Sequence, residues 1–425
     1  MCTGSPPRRP ENIVHQTIAT STSKASRASS KIRPMMKRLL WKAVTAVIVG
    51  MLASCASPPP SGPTAPAPTP ATAPEPSAPV PGWTLSEDES RPLPPPRVQG
   101  NSRWVPVRWA ELPGLGQDSL FEAWNAWIKS CERPGPVFAP LCGEVRQLSI
   151  ATPEEQLGWM ARRLQPYRVE SLDGQAEGLL TSYYEPVIPA SRLPGNGYNV
   201  ALYRAPATLN QRRPWYTRQE IDTLPEAQAA LRGREIAWIA DPVEALVLHI
   251  QGSGRLRITE PDGSQRLVRL AFAGTNDQPY KSVGRWLLDQ GQTRDATWPG
   301  IRQWLSQNPQ RTNELLWSNP RYVFFREEAL SSTDVSQGPR GAQGVELTPG
   351  RSIAVDRQNI PYGTPMWLAS SGPTAQLQRL VLAQDTGSAI IGAVRADYFA
   401  GWGADAGELA GRLKQPLRLW ALWPR

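Results

Sequence analysis

Residues 383–403 read AQDTGSAIIGAVRADYFAGWG, and residues 344–368 read GVELTPGRSIAVDRQNIPYGTPMWL. In both stretches short apolar runs stop at or near an aspartate and give way to glycine, proline, asparagine or threonine. Runs of this length bounded by turn-forming residues predict β-strands, with Asp356, Asp385 and Asp397 at strand ends. The pattern continues outward through GLLTSYYEPVI, IAWIAD, EALVLHIQGSG, RLRITE, RYVFFRE, SIAVD, MWLAS, LVLAQD and PLRLWALW. Many short strands and few long helices predict a mostly β body with barrel or sandwich elements. A helical opening is expected near its start. Leu120, Trp124 and Trp127 share one face of SLFEAWNAWIK (119–129), and TPEEQLGWMARRL opens at Thr152 with a capping box.

The formal charge of +9 does not describe this body. Nine Lys/Arg and one acid, Glu11, fall in residues 1–54, leaving 37 Lys/Arg and 36 Asp/Glu beyond, so no electrostatic footprint for nucleic acid remains. Residues 35–54 have the form of an export signal, with Lys37 and Arg38 before an apolar run from Ala43 to Leu52 that is too short to span a bilayer. The run ends in Leu52-Ala53-Ser54-Cys55, which resembles the lipobox where bacterial lipoproteins are cut and the new N-terminal cysteine is acylated. Residues 1–34, ahead of Met35 and Met36, read as a spurious upstream extension. Residues 56–100 hold 15 prolines among Ala, Ser and Thr, the composition of a semi-rigid tether that cannot bury a core. Ala56 and Ser57 follow the cysteine with no aspartate, resembling the outer-membrane sorting pattern.

Once Cys2 is removed with the leader and Cys55 acylated, Cys131 and Cys142 remain, bracketing a Pro/Gly-containing loop. Two bridged cysteines suit an oxidising compartment, and two free thiols are the alternative. The mature chain has one histidine, His249, and no Cys/His cluster at ligand spacing, so no metal site is expected. No GxGxxG or Walker pattern occurs, and no cofactor is expected.

On a strand over GLLTSYYEP, neighbours face opposite ways, so only one of Tyr183 and Tyr184 enters any groove. Glu185, ahead of Pro186, is a second carboxylate candidate or a solvated corner. Read as a strand, EALVLHIQGSGR places His249 and Gln251 side by side, next to Gly252, Ser253 and Gly254, where backbone can approach a ligand.

Six blocks in order, YYEPVIPASR, DPVEALVLHIQGSGR, AGTNDQPYKSVGR, NPRYVFFRE, GVELTPGRSIAVDRQNIPYGTPMWL and AQDTGSAIIGAVRADYFAGWGADAGELAGRLKQP, resemble the membrane-bound lytic murein transglycosylase A family, whose last block is the three-aspartate domain. The resemblance covers roughly residues 165–425. It implies a mainly β fold with minor α: a double-psi β-barrel domain with a second, smaller inserted β domain and a glycan groove between them. The barrel would take residues 101–190 and 320–425, with the three-aspartate segment at 331–425, and the inserted domain residues 191–319. It also implies a carbon-oxygen lyase that cuts the β-1,4 MurNAc–GlcNAc bond of peptidoglycan and leaves a 1,6-anhydro end. Asp385 falls at the family's catalytic aspartate, Asp397 and Asp356 would support it or tune its pKa, and Tyr183, Tyr184, Glu185, His249, Gln251, Gly252, Ser253, Thr386 and Gly387 would meet the glycan. Ser388 stands where relatives commonly carry a second glycine, and DVSQGPRGAQG (334–344) reads as a loop. The expected partners are glycan strands and, through the lipid, the outer membrane on its periplasmic side; cell-wall synthases or divisome proteins stay open. Two rivals are a non-catalytic wall-binding lipoprotein and an aspartic-type protease, the latter opposed by a single DTG preceded by Gln384.

Overall fold

The computed structural model describes residues 91–331 and 334–425. The leader, Cys55 and the tether as far as residue 90 lie outside the described residues. Four strands come first: β1 (Arg97–Gln99), β2 (Ser102–Pro106), β3 (Leu164–Ser171) and β4 (Gly178–Glu185). The next six are β5 (Val187–Ser191), β6 (Val200–Tyr203), β7 (Glu235–Ile239), β8 (Gly254–Thr259), β9 (Gln265–Thr275) and β10 (Val323–Ala329). The last five are β11 (Ser352–Val355), β12 (Pro365–Ser371), β13 (Gln376–Asp385), β14 (Arg395–Trp402) and β15 (Lys414–Pro424). β1 falls inside the segment expected to be tether.

The first and last groups form one sheet, in the order β1-β2-β3-β15-β12-β13-β11-β14-β4, and the middle group forms another, β10-β9-β8-β5-β7-β6. A further pairing of β15 with β4 closes six strands of the first sheet, β4-β15-β12-β13-β11-β14, into a barrel. β15 makes this closure by dividing its length, since Lys414–Leu417 pair with β4, Arg418–Ala421 with β12, and Trp420–Pro424 with β3. The fold is mainly β with a minor helical share, as the short-run pattern predicts.

Period-2 alternation determines what each barrel strand buries. Met366, Leu368, Val381, Ala383, Leu417, Leu419 and Ala421 share one core cluster. Their neighbours Trp367, Leu380, Leu382, Trp420 and Leu422 point the other way into a second, under the N-terminal helices. The helix Leu120–Ser130 seats Leu120, Trp124 and Trp127 in that second core, where Trp124, Trp127 and Trp159 pack ring against ring with centroids 5.2–5.7 Å apart. Thr152 caps Pro153–Arg163 through the expected capping box. Cys131 and Cys142 are bridged.

The segment EALVLHIQ is not a strand. It forms the helix Pro242–Gln251, N-capped by Asp241, whose side chain accepts from the Val243 N–H, and ended by Gly252 at φ 80°. Ala245 and Leu248 face the core of the second sheet, while Val243 and Leu246 face a cluster with the helices Val283–Asp289, Trp298–Gln307 and Thr312–Trp317. A helix buried on two sides loses its polar stripe, so its apolar run looks like a buried strand.

Candidate active site

The barrel register brings two aspartates to one level. Ala354 on β11 is the pairing partner of Asp385 on β13 and of Asp397 on β14, so the two carboxylates flank β11 from either side. On β4, Tyr183 turns toward Asp385 and donates its O–H to Oδ2 at 2.8 Å, while Tyr184 packs away from it against Gly407. The other Asp385 oxygen, Oδ1, accepts the backbone N–H of Ala342 at 2.9 Å. Burial pushes the Asp385 carboxyl above its ordinary value, against hydrogen bonds from Thr386, Tyr183 and Ala342 that favour the charged form. Burial also raises Asp397, whose Oδ1 accepts the Thr181 hydroxyl and which feels Arg395 as a lowering influence and Asp385 as a raising one.

Asp385, Thr386, Gly387 and Ser388 lie along a cavity of about 530 Å³. Tyr183 and the loop residues Pro339–Ala342 line it on the barrel side, and His249–Ser253, Phe272 and Val323 line it on the side of the second sheet. Of the expected glycan contacts, Tyr183, His249, Gln251, Gly252, Ser253, Thr386 and Gly387 therefore meet in one place. Asp385 is the sole carboxylate among the residues lining the cavity.

Asp356, Asp397, Tyr184 and Glu185 are not among the residues lining the cavity. Asp356 organises a turn: its carboxylate accepts the N–H groups of Gln358 and Gly392 and the side-chain amide of Asn359. Tyr184 offers its backbone N–H to Gln251 Oε1 at 3.0 Å. Glu185 is not a solvated corner. It is fully buried, with Oε1 2.7 Å from Arg269 Nε and Oε2 2.9 Å from Arg255 Nε, and the two guanidiniums donate onward to the carbonyls of Val335 and Gln337. Glu185 thus ties β4 to β8, β9 and the loop that carries Ala342. His249 is buried against Tyr322 and Phe325, and Arg218 donates to its Nδ1 at 2.9 Å. A guanidinium only donates, so Nδ1 is the acceptor; burial and that neighbouring charge hold the imidazole pKa well below its ordinary value.

Two contributors escape sequence reasoning. The Ala342 N–H is a backbone group on a loop, invisible to residue type. Gln384, next to the acid, is fully buried and donates to the Ala126 carbonyl and Ser130 Oγ, while Gln343 bonds the same turn through the carbonyls of Ser130 and Arg133. Among the described residues no group of three or more His, Cys, Asp or Glu is placed to hold a metal ion, and no helix is long and apolar enough to cross a membrane.

A family model described as the MltA specific insert domain matches residues 179–326, and one described as the 3D domain matches residues 351–423. A solved lytic transglycosylase of Burkholderia pseudomallei is 41% identical, with 78% of this chain and 98% of that one covered, at a TM-score of 0.53. The chain belongs to the membrane-bound lytic murein transglycosylase A family. MltA of Neisseria gonorrhoeae is 30% identical, with 79% of this chain and 96% of that one covered, at a TM-score of 0.64. The membrane-bound lytic murein transglycosylase A of Vibrio cholerae is 31% identical over 262 residues, which span 59% of this chain and 66% of that relative. The chain thus spans about two thirds of that curated relative's length. The insert match runs from β4, a barrel strand, through the second sheet and into β10, and the 3D match takes in β11 to β15 of the barrel sheet.

Proposed function

We propose that this protein is a peptidoglycan lytic transglycosylase in which Asp385 is both acid and base. The observation that carries the reading is a single, raised-pKa carboxyl in the groove, held by Tyr183 and the Ala342 N–H with no second carboxylate on the lining. A glycoside hydrolase needs two carboxyl groups flanking the scissile bond. A lytic enzyme needs one. The protonated Asp385 gives its proton to the glycosidic oxygen as the C1–O bond breaks; the resulting carboxylate then takes the proton of the muramyl 6-hydroxyl as that oxygen bonds to C1. No water is consumed, and the muramyl end is left as a 1,6-anhydro ring. Asp397 stands one strand away as a positioning group for this acid, and a protein that only bound the wall would have no use for either raised carboxyl.

In this reading the barrel carries the acid and the inserted sheet forms the facing wall. Purified sacculi incubated with the chain should release muropeptides that are one water lighter than hydrolytic products. Asp385→Asn should lower that release by about 10²- to 10⁴-fold, the usual range for general acid–base help, with binding retained. Near wild-type release by Asp385→Asn would assign the chemistry to the wrong group.

We further propose that Cys55 is acylated and holds the protein in the outer membrane, facing the periplasm, with the proline-rich segment letting the body reach the wall. The membrane-bound names of the relatives support association with a membrane. Cys55→Ser should move the protein to the soluble periplasmic fraction with its activity intact; a variant that still sediments with membranes would sink the lipid anchor.

A further inference from the structure

The groove carries a charge imbalance that sugar hydroxyls do not explain. Three guanidiniums line it, Arg321, Arg326 and Arg340, against the single carboxyl of Asp385. Arg326 is already satisfied, with Glu328 at 2.8 Å and a donation to the Phe272 carbonyl. Arg321 is half-buried on the second-sheet wall, yet its guanidinium bonds the Gln278 carbonyl at a long 3.4 Å and has no carboxylate within ion-pair distance among the described residues, Asp277 acting on it from further away. On the loop wall, Arg340 donates to the Gly344 carbonyl at 3.0 Å and has no carboxylate within ion-pair distance among the described residues. Behind Arg321 stands Arg218, which donates to the carbonyls of Asn319 and Arg321 and to His249.

Within the molecule this is unusual. Four arginines are buried among the described residues, Arg218, Arg255, Arg269 and Arg351. Arg255, Arg269 and Arg351 each have a carboxylate within 2.9 Å, and Arg218 has none within 4 Å. Desolvated charge without a counter-ion is unfavourable, and here the buried Arg218 stands behind the half-buried Arg321 of the second-sheet wall, across the cavity from Arg340. His249 cannot relieve it, because it is neutral and already an acceptor for Arg218. An anion arriving with the ligand can.

We infer that the groove contains a carboxylate-binding subsite, formed by Arg321 and Arg340 from opposite walls and backed by the field of Arg218, which recognises the acidic substituent of a muramyl residue. This rests on the glycan reading above and deepens it. The shared chemistry is a carboxylate on the lactyl side of the muramyl sugar, supplied either by the lactyl group itself when the peptide is absent or by the stem peptide. A strand of N-acetylglucosamine alone offers no such group.

The test is calorimetric binding to the full-length Asp385→Asn protein, which holds strands without turning them over. Three ligands are compared: strands with stem peptides, strands stripped by an amidase to expose the lactyl carboxylate, and stripped strands with that carboxylate converted to a methylamide. Loss of the charge should weaken binding about 5- to 10-fold at low salt, a partly exposed charge-assisted bond, and the difference should shrink as salt screens it. Introducing Arg321→Gln or Arg340→Gln should bring the charged-to-neutral ratio close to one, whereas Arg326→Gln, already paired, should leave the ratio high. Comparing the first two ligands identifies which carboxylate is read. Because Arg340 is exposed on a loop, its variant tests the idea even where Arg321→Gln impairs folding. Equal affinity for all three strands, or a charged-to-neutral ratio unmoved in both variants, overturns the subsite. Binding of none of the three strands overturns the glycan reading and the subsite together.

Discussion

Replacing Glu185 by glutamine should be far more damaging than its place at the end of a strand suggests. The carboxylate has no solvent exposure and sits 2.7 Å and 2.9 Å from two guanidiniums that are themselves buried. Glutamine keeps the shape but removes the charge, and it turns one acceptor into an amide donor facing an N–H. Two buried cations are then left without a counter-ion, and breaking a buried pair from one side typically costs about 3–5 kcal/mol. Unfolding entropy near 2.1 cal/mol/K per residue gives about 0.7 kcal/mol/K for a body running from residue 91 to 425, so the thermal midpoint should fall by about 4–7 °C. Tryptophan fluorescence during a thermal scan reads this directly, because Trp402 lies 4.0 Å from the Arg255 guanidinium. A control with Leu, Met and Met at Glu185, Arg255 and Arg269 removes all three charges together and should recover part of the loss. A midpoint within about 1 °C of wild type for Glu185→Gln would refute the argument that this carboxylate holds the sheets and the loop together.

Tyr183→Phe removes the O–H that stabilises the Asp385 carboxylate, so the acid should move further up and stay protonated to higher pH. As the proton donor is active only when protonated, activity is lost as pH rises through its pKa, and the alkaline limb of kcat/KM should shift upward; a limb unmoved or shifted down would contradict the hydrogen bond's role. Replacing Cys131 and Cys142 by serine opens a short loop and should lower stability by about 3 kcal/mol on the chain-entropy model, with the fold retained. Ser130, next to that bridge, holds both Gln384 and Gln343, so the same variant should lose activity on sacculi while still folded; unchanged turnover would separate the bridge from the acid.

What the sequence made legible follows from how local each feature is. The alternation that lets one tyrosine of the pair enter the groove needs only the strand geometry of β4, and Tyr183 is the one that does. Asp385 is legible as a strand-end acid because the turn signal after it is local. The misreading of EALVLHIQ has a physical cause, since burial on two faces erased the helical period. Its signals were still present, Asp241-Pro242 at the start and Gly252 at the end, and end signals decide where periodicity is silent. Glu185 was opaque for a different reason: its partners are 70 and 84 residues away, and nothing near position 185 announces them. The same holds for the Ala342 N–H, which reaches Asp385 across 43 residues.

The way β15 shares its length among β4, β12 and β3 imposes an order on folding. The six strands of the second sheet are contiguous in the chain and can pair once residue 329 is available. The barrel cannot close until the final eleven residues of strand have been made, because β3, β4 and β12 all wait for the same partner. Until then three strand edges are open, the kind of surface on which chains aggregate. A stop near residue 413 would therefore spare every residue of the groove and still yield no enzyme.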